Sequence, residues 1–177
     1  MPDTGNALTP LKENDVVACF GCGVHNPHGL QMTFFTDGSG VFSKVTVPVH
    51  LGGWNNLVHG GVLSTICDEI MGWTAMYRMK KMTLTKTMTV DFRRAVFVSD
   101  TLRAHGQVVE VRDANEVVVE GSIHNGNGEL CVSSRGVFAL LDARTGIRMG
   151  MLDERDVHRF FKTVFETGTS PGAVNAP

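Results

Sequence analysis

The chain has 177 residues, a length that fits one domain whose core can stand without disulfides or a structural metal. Hydrophobic residues make up 42% and charged residues 19%, with 20 glycines, which excludes the low-apolar, high-charge composition of a disordered chain. Sixteen Lys and Arg against eighteen Asp and Glu leave a formal charge of −2, so global charge calls for neither nucleic acid nor an anionic membrane as partner.

Met1–Pro10 has neither the basic start and apolar core of a secretory signal nor the Arg-rich pattern of a transit peptide. The strongest apolar run, Gly136–Leu141, is six residues long, far short of the ~20 needed to cross a bilayer. These features predict a cytoplasmic protein without membrane association. Cys19, Cys22, Cys67 and Cys131 are too few for a disulfide scaffold and read as reduced thiols. Cys67 and Cys131 lie in apolar segments, where cysteine behaves as a small hydrophobe.

Leu8–Ala18 is expected as a short helix within a leader, after which Gly21, Gly23, Asn26, Pro27 and Gly29 crowd into a loop. Leu30–Phe35 and Val41–Val49, separated by Asp37-Gly38-Ser39-Gly40, read as a hairpin. Beyond Gly52-Gly53-Trp54-Asn55-Asn56, the stretch from His59 to about Lys81 has no proline and carries apolar residues on nearly every face, the pattern of one long buried helix. Thr83–Val98, Thr101–Arg112 and Glu116–Asp142 follow as an antiparallel meander, the last run broken at Asn125-Gly126-Asn127-Gly128. Met151–Glu166 is amphipathic, with Leu152, Val157, Phe160, Phe161 and Val164 apolar, and Thr167–Pro177 is small and polar. The expected division is a leader over 1–18, a main domain over 19–142, a C-terminal helical segment over 143–166 and a flexible tail over 167–177.

Two strands, one long apolar helix and four more strands have an economical solution. A helix apolar all round must be wrapped, and one curled antiparallel sheet can do it. The expected class is therefore α+β, a hotdog fold with about six strands around a central helix. A doubly wound domain is disfavoured because strands and helices do not alternate.

The helix start carries the chemistry. In His59-Gly60-Gly61 the two glycines leave backbone N–H groups bare at the positive end of a helix dipole, where a carbonyl oxygen gaining charge would be stabilised. The same pair would also serve a tight entry or close packing. Asp68 sits within the apolar run, where a carboxylate is costly unless paired or used. Helical steps from it meet Gly61, Ser64 or Thr65, Met71 or Gly72, and Ala75, a mostly small-residue row with room for a ligand or a second helix. Glu69 is the rival, but its row of Val62, Ile66, Trp73 and Met76 is bulky, so it is expected to be paired or to emerge at an edge. Eight residues separate Gly60 from Asp68, about 12 Å along the helix, whereas attacking oxygen and oxyanion donor must meet within about 3 Å of one carbonyl. If both act, the carboxylate must face the helix start of another copy, which implies an isologous dimer with composite sites.

The His-Gly-Gly motif with Asp68 nine residues after His59 resembles the PaaI-type branch of the hotdog acyl-CoA thioesterases. Gly52-Gly53-Trp54-Asn55-Asn56-Leu57-Val58 resembles that family's loop into the helix. Cys19-Phe20-Gly21-Cys22-Gly23 with Asn26-Pro27 and Gly29-Leu30, and Leu84-Thr85 leading to Phe92, resemble two further family stretches. The resemblance spans roughly Cys19 to Leu141. It implies acyl-CoA thioester hydrolysis, with the Gly60 N–H polarising the carbonyl and Asp68, from the partner subunit, acting as general base or nucleophile. Thr85 would hold the water or the carboxylate, and His59 would orient the loop or contact the thioester. Gly61, Trp54, Asn55 and Asn56 are the further substrate-contact candidates. Two departures stand out: Gly53 replaces an Asn common in relatives, for which Asn55 or Asn56 could compensate, and the usual Phe-x-x-Pro is Phe92-Arg93-Arg94-Ala95.

Arg78, Lys80, Lys81, Lys86, Arg93 and Arg94 place six of the sixteen basic residues within seventeen positions. A solvated, cation-rich helix end and strand explains this, as does a clamp for coenzyme A phosphates, for which Arg93 and Arg94 are the better candidates. Cys19, Cys22, His25 and His28 suggest zinc, but all four fall within ten residues, so a tetrahedron would be strained; no metal and no cofactor beyond coenzyme A of the substrate is expected. Met71, Met76, Met79, Met82 and Met88 are expected in the core or along an acyl tunnel. The expected function is acyl-CoA hydrolysis by a homodimer or a dimer of two dimers. A hotdog (de)hydratase on acyl thioesters and a non-catalytic acyl-CoA binder are the alternatives.

Overall fold

Alternation along the later strands presents one face of each to the interior, as in Leu130–Leu141, where Ser134, Gly136, Phe138 and Leu140 are buried between more exposed neighbours. The computed structural model describes residues 8–11, 18–151, 153–157 and 159. Its elements are β1 (Thr9–Pro10), β2 (Phe34–Thr36), β3 (Val41–Thr46), a 3₁₀ turn (Val49–Leu51), α1 (Gly60–Met79), β4 (Met82–Phe92), β5 (Thr101–Asp113), β6 (Glu116–His124), β7 (Leu130–Leu141) and α2 (Ala143–Arg148). The strands form one antiparallel sheet in the order β1-β2-β3-β5-β6-β7-β4. Helix α1 leaves from the β3 side, crosses β5, β6 and β7, and delivers the chain to β4 at the far edge. This is the wrapped-helix architecture expected from the sequence, with seven strands instead of six.

The core lies between α1 and the sheet: Ile66, Ile70, Met71 and Trp73 are buried, and Trp73 stacks on Phe34 with ring centroids 4.5 Å apart. Close approach depends on glycine. Gly106 on β5 and Gly121 on β6 are register partners, and a Cβ at Gly106 would lie 2.3 Å from Thr74 Oγ1 and 2.8 Å from the Ile70 carbonyl oxygen. A Gly106→Ala chain must push the helix away, and overpacking of this kind costs about 1–3 kcal/mol. The expected result is a lower urea midpoint at unchanged slope; a wild-type midpoint would show that the helix is not held down there.

Several boundaries differ from expectation. Thr9 and Pro10, placed in a short helix over Leu8–Ala18, instead pair with β2, an arrangement set by a tertiary neighbour; residues 12–17 lie outside the described part. The strand expected over Leu30–Phe35 shortens to Phe34–Thr36 because Gln31 has a left-handed backbone (φ 47°), while Leu30 and Met32 donate to the Phe20 and Gly21 carbonyls. Pro48 leads β3 into the 3₁₀ turn before Val49. The helix stops at Met79, capped by left-handed Lys80 (φ 55°). The strand expected to reach Val98 ends at Phe92, since the Arg93 and Arg94 N–H groups both donate to the Cys131 carbonyl. The helical segment over 143–166 is interrupted: α2 ends at Arg148, Gly150 is left-handed (φ 68°), and residues 154–157 are helical again. Most of the amphipathic stretch to Glu166, and the tail beyond it, lie outside the described residues.

Two features position the site. β4 pairs with β7 on one side, and no strand pairs with its other edge among the described residues; most of its side chains are exposed. α1 is not buried all round either. Gly61, Thr65, Asp68 and Gly72 form a row that is exposed or half-buried, while Ile66, Ile70 and Trp73 on the other side are covered. No helix among the described residues is long and apolar enough to cross a membrane.

Candidate active site

His59 caps α1. Its extended backbone (φ −63°, ψ 136°) lets Nδ1 accept from the Gly61 N–H at 2.9 Å, an unusual role for a residue type outside the common cap set. The His59 carbonyl accepts from Val62 and Leu63 at 2.9 and 3.2 Å. Gly61, Val62 and Leu63 are thereby satisfied, whereas the Gly60 N–H meets no acceptor among the described residues. An unmatched donor at the positive end of a 20-residue helix is a site for developing negative charge. Nδ1, being an acceptor, leaves the proton of neutral His59 on Nε2.

Gly60 borders a groove of about 300 Å³ with Leu57, Leu63 and Phe92 as apolar wall and Arg93 and Arg94 at the rim. The Phe92 ring, 55% exposed, lies where a Cβ on Gly60 would be 3.6 Å from it. Leu57 and Leu63 were not among the sequence candidates, and Phe92 entered only as part of a family stretch; an exposed aromatic at a strand end leaves no periodic signal. A larger depression of about 660 Å³, bordered by Thr87, Asp91, His105, Glu120 and Arg135, includes neither Gly60 nor Asp68.

Asp68 is half-buried on the uncovered row, and Thr85 Oγ1 donates to its Oδ1 at 2.6 Å. A bulge between Thr85 and Thr87 breaks the β4–β7 register beside this contact. Asp68 and Thr85 are thus brought together. Gly60 is eight residues up the same continuous helix, about 12 Å along its axis.

Glu69, the rival carboxylate, is turned to the other side. Cys19 Sγ donates to its Oε1 at 3.1 Å. Burial, then the Cys19 sulfur beside it, pushes the Glu69 carboxyl up to about 8. Burial likewise pushes the Cys67 thiol up to about 11. Glu69 is engaged with the amino-terminal loop, and Asp68 faces the open row.

Trp54, Asn55 and Asn56 lie on an exposed turn in which the Leu57 N–H donates to the Trp54 carbonyl and Asn55 is left-handed (φ 52°). None of the three lines the groove, nor do His59 and Gly61. A Cβ on Gly53 would be 3.3 Å from His59 Cα, so an Asn at this position would press on His59. The basic cluster disperses. Arg78 donates to the Gly38 carbonyl, Lys81 to the Ala114 carbonyl, Lys86 pairs with Glu116, and Lys80 lies over the Tyr77 ring. Only Arg93 and Arg94 reach the groove. Arg93 Nε donates to Ser133 Oγ at 2.9 Å, and Arg94 lies 3.8 Å from Glu129 in an exposed ion pair.

Residues 55–132, which include Gly60, Asp68, Thr85, Arg93 and Arg94, match the family model described as Thioesterase superfamily. Over those residues the chain is similar to the thioesterase superfamily, and its sheet and helix have the hotdog fold. A solved thioesterase superfamily protein is similar to this chain at 24% identity and a TM-score of 0.60, covering 66% of this chain and 57% of its own. The E. coli PaaI protein from the phenylacetic acid degradation operon is 23% identical, with a TM-score of 0.57 over 63% of this chain and 80% of its own. A hypothetical thioesterase from Streptococcus pneumoniae TIGR4, solved with coenzyme A, is 20% identical, with a TM-score of 0.55 over 59% of this chain and 80% of its own. No curated protein is significantly similar in sequence. At these identities the structures establish the hotdog fold alone.

Proposed function

We propose that the chain hydrolyses acyl-CoA thioesters to the free acid and coenzyme A, at sites shared between two subunits of a PaaI-type homodimer. The observation that carries this reading is the unmatched Gly60 N–H opening onto a groove, on the same helix as a half-buried Asp68 that lies too far along it to serve the same carbonyl. The thioester carbonyl oxygen accepts from the Gly60 N–H, and the helix dipole favours the tetrahedral oxyanion. The partner subunit's Asp68, held at Oδ1 by Thr85, presents Oδ2 to a water and takes its proton as the water adds; collapse of the intermediate breaks the carbon–sulfur bond, and the departing sulfur takes that proton from Asp68 to leave as the coenzyme A thiol.

The open edge of β4 supports the dimer. An eleven-residue strand with one edge that no described strand pairs is a template for another strand, and pairing with its own two-fold copy would bring the Asp68–Thr85 row of each subunit toward the other. That a neighbour of the same fold was solved with coenzyme A supports the substrate class. A cytoplasmic location fits the reduced cysteines of the sequence reading.

Thiol release measured across a panel of acyl-CoA esters tests the proposal. Turnover of at least one ester supports it. Hydration or dehydration without thiol release would assign a (de)hydratase, and saturable binding without turnover would assign a carrier. Arg93→Gln with Arg94→Gln tests the rim. Hydrogen bonds to charged groups are worth about 1.5–3 kcal/mol, so loss of phosphate contacts should raise KM about 10-fold or more, flatten its salt dependence and leave kcat near wild type. Unchanged kinetics would make both arginines ordinary surface charges.

A further inference from the structure

The amino-terminal loop holds a cluster that the hydrolytic reading does not use. Cys19 Sγ, Cys22 Sγ and a carboxylate oxygen of Glu69 all lie within 4.8 Å of one another, with Cys19 Sγ 3.1 Å from Glu69 Oε1. Sequence spacing argued against a metal because Cys19, Cys22, His25 and His28 fall within ten residues. The fold removes that objection by bringing a donor from α1, 47 residues beyond Cys22. His25 and His28 are exposed on the loop and take no part in the cluster among the described residues.

The surroundings are shaped to the three donors. A Cβ on Gly21 would lie 2.3–2.4 Å from the Glu69 side chain, so the carboxylate seats against bare backbone. The turn is fastened by Gly23 N–H to the Cys19 carbonyl at 3.1 Å, and by Leu30 and Met32 N–H to the Phe20 and Gly21 carbonyls, each at 2.9 Å. Tetrahedral zinc, with Zn–S about 2.3 Å and Zn–O about 2.0–2.2 Å, sets its donor atoms about 3.5–3.8 Å apart, inside the range of spacings seen here.

We propose that Cys19, Cys22 and Glu69 form a zinc site that ties the amino-terminal loop to α1, with water at the fourth corner. This departs from the metal-free expectation, and it does not depend on the hydrolytic reading. Binding exchanges thiol and carboxyl protons for the ion, with no transfer of electrons.

The test uses the full chain, kept reduced, stripped with a chelator and desalted, then titrated with Co²⁺ alone and afterwards with Zn²⁺. The expected result is one Co²⁺ per chain with a near-ultraviolet thiolate-to-cobalt band and the visible bands of a tetrahedral ion, both abolished by Zn²⁺. Cys22→Ser should roughly halve the charge-transfer band. Its zinc affinity should fall by more than the roughly 10–100-fold that loss of a partner behind a ligand costs. Glu69→Gln, a nearly isosteric change that keeps both thiols, should retain the charge-transfer band, shift the visible bands and bind zinc more weakly. A folded, reduced wild-type chain without the thiolate-to-cobalt band, or Cys22→Ser and Glu69→Gln chains that titrate as wild type, overturns the proposal. No substrate enters the measurement, so either result leaves the thioesterase reading to its own assay.

Discussion

A Gly60→Pro chain is expected to hydrolyse its best acyl-CoA ester about 10²–10³-fold more slowly, the loss that follows removal of one oxyanion donor, while its fold remains intact. The substitution is unusually clean at this position. Gly60 is the first residue of α1, where proline is well tolerated because its missing N–H has no helical partner to lose. The preceding His59 already has the extended backbone that proline demands of its neighbour. Gly60→Ala is the control: it keeps the N–H and adds a Cβ in ordinary contact with Phe92, 3.6 Å away, so it should stay within about 10-fold of wild type. Proline and alanine chains of equal activity, with matched circular dichroism and melting, would remove the Gly60 N–H from the reaction.

Asp68→Asn should lower kcat by roughly 10²–10⁴-fold, the usual contribution of a general base. Asparagine keeps the acceptor for Thr85 Oγ1, so packing beside β4 should survive and the melting curve should not report the change. Undiminished turnover would take Asp68 out of the mechanism. The two inactive chains together test the shared site. In a mixed dimer of Gly60→Pro and Asp68→Asn subunits, purified through a different tag on each, a site built across the interface is doubly damaged once and intact once. Such a dimer should recover about half the wild-type rate. Sites contained within single subunits would both stay inactive, and the recovery would be absent.

The architecture was legible because its signal is local and repeated: a proline-free apolar stretch that became Gly60–Met79, followed by strands closed by Asn-Gly and Asp-Ala-Asn turns. Boundaries failed where a single backbone conformation or a distant partner decided them. Gln31 and Lys80 adopt left-handed angles that nothing in their residue type announces, and Thr9-Pro10 is a strand only because β2 lies beside it. The choice of Asp68 over Glu69 for the open row followed from helical rows alone, since bulky neighbours point Glu69 inward. That Cys19 would meet Glu69 could not be read, because fifty residues separate them and neither carries a mark of the other. The basic residues looked like one patch along the chain and became four separate contacts, since the helix end and β4 turn successive side chains in different directions.

Asp68 and Glu69 stand side by side on α1 yet answer to opposite neighbours, the first to Thr85 and the second to Cys19. Each residue of a helix is rotated by about 100° from the last. One residue inserted or deleted between Gly60 and Asp68 would therefore swing the outward acid away from β4 and break both attachments at once. Substitutions within that stretch can be absorbed one at a time, but its length cannot drift: changes in chain length must fall outside it, in the loops.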